Sequence, residues 1–230
     1  MMTESLVVAE VFGPTWQGEG PSIGRRCGFV RLGRCNLACT WCDTPYTWDW
    51  ERYDPAKELH RRLVTEVVSD LDAMAIDMLV ISGGEPLLQQ SHLPPLLAAA
   101  VERGWRVEVE TAGTIAPTEA VATIDQFNVS PKLASSGNQR DRRYKPDVLR
   151  AFEATGRAAF KFVAISEADL DEIAMMVGEC SLSDVWVMPE GTDAATVTER
   201  ARALAPAVLD RGWNLTTRLH VLLWGDRRGV

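Results

Sequence analysis

Gly28-Phe29-Val30-Arg31-Leu32-Gly33-Arg34-Cys35-Asn36-Leu37-Ala38-Cys39-Thr40-Trp41-Cys42 is the stretch that decides how this chain is read. Gly28–Leu32 predicts a strand, and it runs directly into three cysteines at CxxxCxxC spacing. Three thiolates this close together suit an iron–sulfur cluster. Four cysteines can saturate a 4Fe-4S cluster, so three leave one iron free to bind a small molecule and hand it an electron. A structural zinc site would need a fourth ligand. Cys27, Cys180, His60, His92 and His220 all lie outside the motif. Closely spaced cysteines without a secretory start fit a reducing compartment better than disulfides. Cys27 and Cys180 read as buried small hydrophobes.

The 230 residues are long enough for one domain with a sizeable core. A composition 46% hydrophobic and 24% charged is that of a globular chain. No apolar run reaches the length of a membrane span. The start, Met1-Met2-Thr3-Glu4-Ser5, lacks the basic region and apolar core of a signal peptide, so a cytoplasmic enzyme is expected. A net charge of −8 argues against direct nucleic-acid binding but leaves room for a local basic pocket.

Beyond the cysteines, strand and helix alternate. Strands are predicted at Met78–Ser82, Arg106–Thr111, Gln126–Ser130, Ala159–Ala164, Val185–Met188 and Asn214–Leu219. Helices are predicted at 55–74 behind an Asp54 N-cap, at 93–103 before Gly104, at 167–177 behind Ser166 with Asp169 as a capping-box acid, and at 194–211 before Gly212. Pro206 should kink or break the last of these. The polar, basic stretch Ala134–Arg143 reads as a mobile surface loop. Strand–helix alternation means parallel strands with crossover helices. The cysteine loop, Gly83-Gly84 and Ser130-Pro131 then all follow strands, at the rim where such folds place active sites. Alternation alone leaves open whether the sheet closes.

The cysteine loop, followed by Ile81-Ser82-Gly83-Gly84-Glu85-Pro86, resembles the radical S-adenosylmethionine superfamily. The resemblance implies an incomplete, modified TIM-like (β/α) barrel with parallel strands. It also implies a 4Fe-4S cluster whose open iron is chelated by S-adenosylmethionine. Other segments narrow it: Phe12-Gly13-Pro14-Thr15-Trp16-Gln17-Gly18-Glu19-Gly20, Phe29-Val30-Arg31-Leu32, Cys42-Asp43-Thr44, Glu110-Thr111-Ala112-Gly113, Val129-Ser130-Pro131-Lys132 and the terminal Arg218-Leu219-His220-Val221-Leu222-Leu223-Trp224-Gly225-Asp226-Arg227-Arg228-Gly229-Val230. In this order they resemble the 7-carboxy-7-deazaguanine synthase family from end to end. That family converts 6-carboxy-5,6,7,8-tetrahydropterin to 7-carboxy-7-deazaguanine, losing ammonia, on the route to deazapurines such as queuosine. An adenosyl radical removes a hydrogen atom from the carbon bearing the carboxylate and later returns it, with Mg2+ assisting.

By this resemblance residues 1–230 form a single domain, with the cluster loop at about 33–50 and a tail over the active site. Cys35, Cys39 and Cys42 hold the cluster, and Thr44 contacts Mg2+. Trp16, Gln17, Gly18, Glu19, Arg31, Ser82 and the Val230 carboxylate bind substrate, the Arg31 fork suiting a carboxylate. Trp41, Asp43, Gly83, Gly84, Glu85, Glu110, Ser130, Pro131 and Lys132 contact S-adenosylmethionine. A flavodoxin- or ferredoxin-type donor and a homodimer are also implied. Ala112 departs from the family, which commonly carries a side-chain amide there. Other readings of the cysteine motif are a radical enzyme that activates a glycyl-radical partner, an iron–sulfur electron carrier and a zinc-stabilised binding module.

Overall fold

Strands β1 (Ser5–Trp16), β2 (Arg26–Leu32), β3 (His60–Leu63), β4 (Met78–Gly83), β5 (Arg106–Thr111), β6 (Gln126–Val129), β7 (Ala158–Ala164), β8 (Val185–Pro189) and β9 (Asn214–Leu215) join in one sheet. Its order is β3-β1-β2-β4-β5-β6-β7-β8-β9. The computed structural model describes residues 4–230; the start Met1–Thr3, read above for a signal peptide, lies outside them. From β2 through β9 neighbouring strands are parallel. The expectation of parallel strands fails at one edge, where β1 runs antiparallel to both β2 and β3. Among the described residues no ladder joins β3 to β9, so the sheet curls without closing, as an incomplete barrel does.

The helices are α1 (Pro55–Glu58), α2 (Val64–Ala73), α3 (Pro94–Glu102), α4 (Arg140–Arg143), α5 (Pro146–Glu153), α6 (Glu167–Cys180), α7 (Ala194–Asp210) and α8 (Leu219–Trp224). The single helix expected over 55–74 is two. Asp54 does cap α1, accepting from the Ala56 N–H at 3.0 Å. Leu59 then turns extended, and His60–Leu63 pairs with Ser5–Val8, supplying backbone partners that the edge of β1 would otherwise lack. The strand expected over 214–219 is short as well. Thr216 N–H makes its last ladder bond to Val187 O at 2.9 Å, and Leu219 N–H turns to Gly18 O at 2.8 Å, starting α8. Pro206 does not break α7. It lies exposed, with buried Leu204 and Val208 on either side fastening the helix to the sheet.

Alternation decides what each face carries. Leu79 and Ile81 of β4, Val107 and Val109 of β5, Phe127 and Val129 of β6, and Phe160 and Phe162 of β7 form the main core under the helices. The opposite, concave face has two zones. Cys27, Phe29, Met78 and Val80 form a small apolar floor, with Phe12 stacked on Phe29 at 4.9 Å. Further round, Glu108, Asn128 and Lys161 are buried and polar. Glu108 accepts from Arg106 Nε at 2.9 Å, Asn128 Nδ2 at 3.1 Å and the Ser22 hydroxyl. The loop after β1 therefore plugs the barrel by hydrogen bonding to its wall.

The first of two irregularities in the β1–β2 ladder sets the near wall. The β1–β2 register slips by one residue between Val8 and Glu10. Val8 belongs to the main core, whereas Glu10 pairs with Arg31 and Phe12 with Phe29. Such a bulge re-aims side chains without ending the strand. Here it turns Glu10 and Phe12 to the concave face.

Candidate active site

One cavity opens at the carboxyl ends of β2, β4, β5, β6 and β7. Cys35, Cys39 and Cys42 line one side of it. Each sulfur receives one N–H: from Leu37 N at 3.5 Å, Asn138 Nδ2 at 3.3 Å and Trp48 Nε1 at 3.3 Å. Burial pushes the Cys35 thiol up to about 12 and raises Cys39 as well. Metal must therefore displace protons as it binds. The donor set is three soft sulfurs supported by N–H groups, with no histidine or carboxylate bonded to them; this fits an iron–sulfur cluster better than a closed zinc site.

The stretch Ala134–Arg143 lies at the surface as expected, with Ala134, Gly137 and residues 139–142 exposed, but its inner side packs on the cysteine loop. Ser136 is fully buried, and its carbonyl accepts from Thr40 N–H at 3.0 Å. Ser135 O accepts from Trp41 Nε1 at 3.1 Å, and Asn138 Oδ1 from Ala38 N–H at 2.9 Å. The segment is a brace for the cysteine loop. On its other side the Arg143 guanidinium bonds Lys132 O at 2.8 Å and Glu172 at 2.7 Å.

Gly83 and Gly84 line the cavity beside the cysteines. A Cβ on Gly84 would collide with Arg34 O and lie 2.8 Å from Cys35 Cβ. Glycine is needed there so that this turn can lie against the cysteine loop. It leaves a side-chain-free shelf that fits a cofactor chelated beside the cluster. Glu85 is not on the shelf. It is fully buried below it, accepting from Leu87 N at 3.0 Å, Thr111 Oγ1 at 2.8 Å and Ala112 N at 2.8 Å. Burial raises its pKa. It joins the turn after β4 to the end of β5, and its carboxylate does not line the cavity. Pro131 also lies off the cavity wall, whereas Ser130 and Lys132 are on it. Lys132 Nζ bonds Ser130 Oγ at 2.9 Å and sits 5.5 Å above the Trp41 ring.

Trp16, Gln17, Gly18, Glu19, Arg31, Asp43, Thr44, Ser82, Glu110 and Val230 line the same cavity, with Thr44 Oγ1 3.7 Å from Cys42 Sγ. Gln17 is fixed at both ends of its amide: Nε2 donates to Glu110 at 3.1 Å, and Oε1 accepts from Glu19 N–H at 3.3 Å. Lys161 and Arg218 pin Glu19. Burial opposes its ionisation, but these two cations outweigh that and hold its carboxyl far below the ordinary range. Arg218 also pairs with Asp43. His220 stands 3.9 Å from Glu19, and burial lowers its pKa. Glu19, Asp43 and His220 lie close enough to share a cation, yet Lys161 and Arg218 already neutralise the two carboxylates. Thr44 offers one hydroxyl to the cavity, a fitting single ligand for Mg2+, which takes most of its ligands from water or substrate.

As site residues, Lys161 and Arg218 escaped the sequence reading. Lys161 did leave a signal, as the one charged residue within the apolar strand Ala158–Ala164. Arg218 opens the terminal segment that carries the resemblance, but its pairing is not legible there, since its partners lie about 175 and 199 positions away along the chain.

The radical SAM superfamily model matches residues 30–163. A 7-carboxy-7-deazaguanine synthase from Pyrobaculum aerophilum is 33% identical, over 99% of this chain and 98% of its own length. One from Hyperthermus butylicus is 34% identical, over 95% and 92%. Among solved structures, QueE from Escherichia coli superposes with a TM-score of 0.72 at 22% identity, covering 94% of this chain and 95% of that one, a likeness of fold. Matched from end to end and carrying the superfamily's cysteine loop, the chain belongs to the 7-carboxy-7-deazaguanine synthase family of radical SAM enzymes.

Proposed function

We propose that the cavity converts 6-carboxy-5,6,7,8-tetrahydropterin to 7-carboxy-7-deazaguanine with loss of ammonia. The observation that carries this reading is the sharing of one cavity by three cysteines and by the fixed Gln17, Glu19 and Arg31 set. Cys35, Cys39 and Cys42 would hold a 4Fe-4S cluster. Trp41, Asp43, Gly83, Gly84, Glu110, Ser130 and Lys132 would receive S-adenosylmethionine. When bound, the two together supply the radical that takes a hydrogen atom from substrate and returns it.

The protein's own part is positioning. Gln17 and Glu19 face the amide and amine edge of a pterin; because neighbours already hold both side chains, little order is lost on binding. Arg31 spends Nε on Glu10 and one Nη1 hydrogen on Ser82 at 3.3 Å. Its remaining edge suits a carboxylate bidentately. Thr44 would give Mg2+ its protein ligand, and Val230 closes the cavity from the tail side. Among the described residues no helix is long and apolar enough to cross a membrane. A flavodoxin- or ferredoxin-type donor and a homodimer complete the reading on the strength of the family resemblance.

The deciding assay is anaerobic. The reconstituted, reduced protein is given S-adenosylmethionine, Mg2+ and 6-carboxytetrahydropterin, and products are followed by mass spectrometry. Formation of 7-carboxy-7-deazaguanine is the expected result. Release of 5′-deoxyadenosine without it would move the proposal to another substrate.

A further inference from the structure

The tail carries a charged side chain that the reading above does not use. Arg228 is half-exposed, yet it is tied down on three sides. Its Nε pairs with Glu10 Oε1, its Nη1 bonds Glu58 Oε2 at 2.8 Å, and its guanidinium lies 3.8 Å from the centre of the Tyr46 ring. Glu10 Oε2 accepts from Arg31 Nε at 2.9 Å and from Tyr46 OH at 3.0 Å. Arg228, Glu10, Arg31 and Ser82 thus form a row from the tail into the cavity. The backbone fixes most of it: Glu10 is the register partner of Arg31 on β1–β2, and Arg31 that of Ser82 on β2–β4.

We propose that Arg228 is a positioning residue for carboxylate recognition, acting through Glu10 on Arg31; this rests on the reading of Arg31 as the substrate-carboxylate arginine. The argument is one of charge. Arg31 and Glu10 alone would be a closed ion pair, and an anionic ligand gains little from a neutral pair. Arg228 supplies a second cation to the same carboxylate; Glu58 balances that cation, but through Nη1 and not through the Nε that holds Glu10, so Glu10 is shared between two guanidiniums and less of the Arg31 charge is spent on it. Arg31 and Glu10 are largely buried, which limits screening between them; Arg228 reaches Glu10 from the exposed side. Arg228 touches no substrate itself; it sets how much of the Arg31 charge is available.

The test compares two ligands that differ only in the carboxylate. Binding of 6-carboxypterin and of pterin to the reconstituted protein with S-adenosylmethionine is measured by calorimetry. Arg228→Ala should weaken 6-carboxypterin about tenfold, the scale of one charge-assisted contact, and leave pterin unchanged. Arg228→Lys should recover part of that loss, because the charge beside Glu10 returns without the stacking on Tyr46. Hydrogen–deuterium exchange over 219–230 monitors whether the tail stays docked. Equal weakening of both ligands would overturn the proposal, since a structural role predicts it. Unchanged binding of both would overturn it too. Arg31→Ala is the control on the underlying reading. If Arg31→Ala abolishes the preference for the carboxylated ligand while Arg228→Ala does not, Arg31 keeps its role and Arg228 loses its own. If Arg31→Ala leaves the preference intact, the underlying reading fails, and this inference with it.

Discussion

Asn138 shows how one residue can serve two levels of the molecule. Its Oδ1 accepts from the Ala38 N–H, shaping the cysteine loop, and its Nδ2 donates to Cys39 Sγ. N–H donors to cluster sulfurs favour the more negative, reduced state. Asn138→Ala should therefore shift the bound cluster's reduction potential to a more negative value. A redox titration followed by electron paramagnetic resonance reads it, and an unchanged potential would count against the N–H···S contact. The cysteines themselves were legible because their spacing is local. Asn138 was not: it lies 99 positions from Cys39, in a stretch whose polarity reads as solvated loop. Its polar groups face the cysteine loop instead of water. The direction of the Glu85 carboxylate is hidden from the sequence for a related reason. Its motif announces a turn beside a ligand, but only the folded chain shows its carboxylate bonding downward to Thr111 and Ala112.

At the scale of elements, strands buried on both faces were the easiest to read. β4 is apolar throughout Met78–Ile81, as parallel strands covered on both sides tend to be. β5 shows where such reading stops. Arg106-Val107-Glu108-Val109-Glu110-Thr111 alternates like a strand with one wet face, yet Glu108 is fully buried in the barrel wall. β1 is hard to read because its alternation changes phase at the slip after Val8. In α7, Pro206 persists because tertiary packing overrides a local penalty. Pro206→Ala should accordingly stabilise the protein by about 1–3 kcal/mol, seen as a higher melting temperature. No gain would mean that the helix already relaxes around the proline.

At the scale of the whole molecule, buried ion pairs connect regions far apart in sequence. Lys161–Glu19 and Arg218–Asp43 fasten the loop after β1, the cysteine loop and the tail segment to the barrel. Burial opposes ionisation of Glu19, Asp43 and Glu10, but cations outweigh it and hold all three carboxyls below their ordinary values. Groups lowered in the folded state give stability that is present above the unfolded carboxylate pKa, about 4, and lost as pH falls through the folded values. Unfolding free energy should thus decline on acidification from about pH 5 downward. Glu19→Gln should cost about 3 kcal/mol at pH 7, because Lys161 loses its nearest anion, and should flatten that acid decline. Denaturant titrations at pH 7 and pH 4 test both; an unchanged acid slope would remove Glu19 from the account. The slip in β1 has a consequence for insertions and deletions. Ala9 is the surplus residue between Val8 and Glu10, so losing it would leave Glu10 opposite Arg31 and Phe12 opposite Phe29. Losing Val11 would instead swing Phe12 out of the concave face. Deletion scanning of this strand, read as soluble yield, should find position 9 dispensable and position 11 not. In a sheet where nearly every position counts, the bulge is spare length.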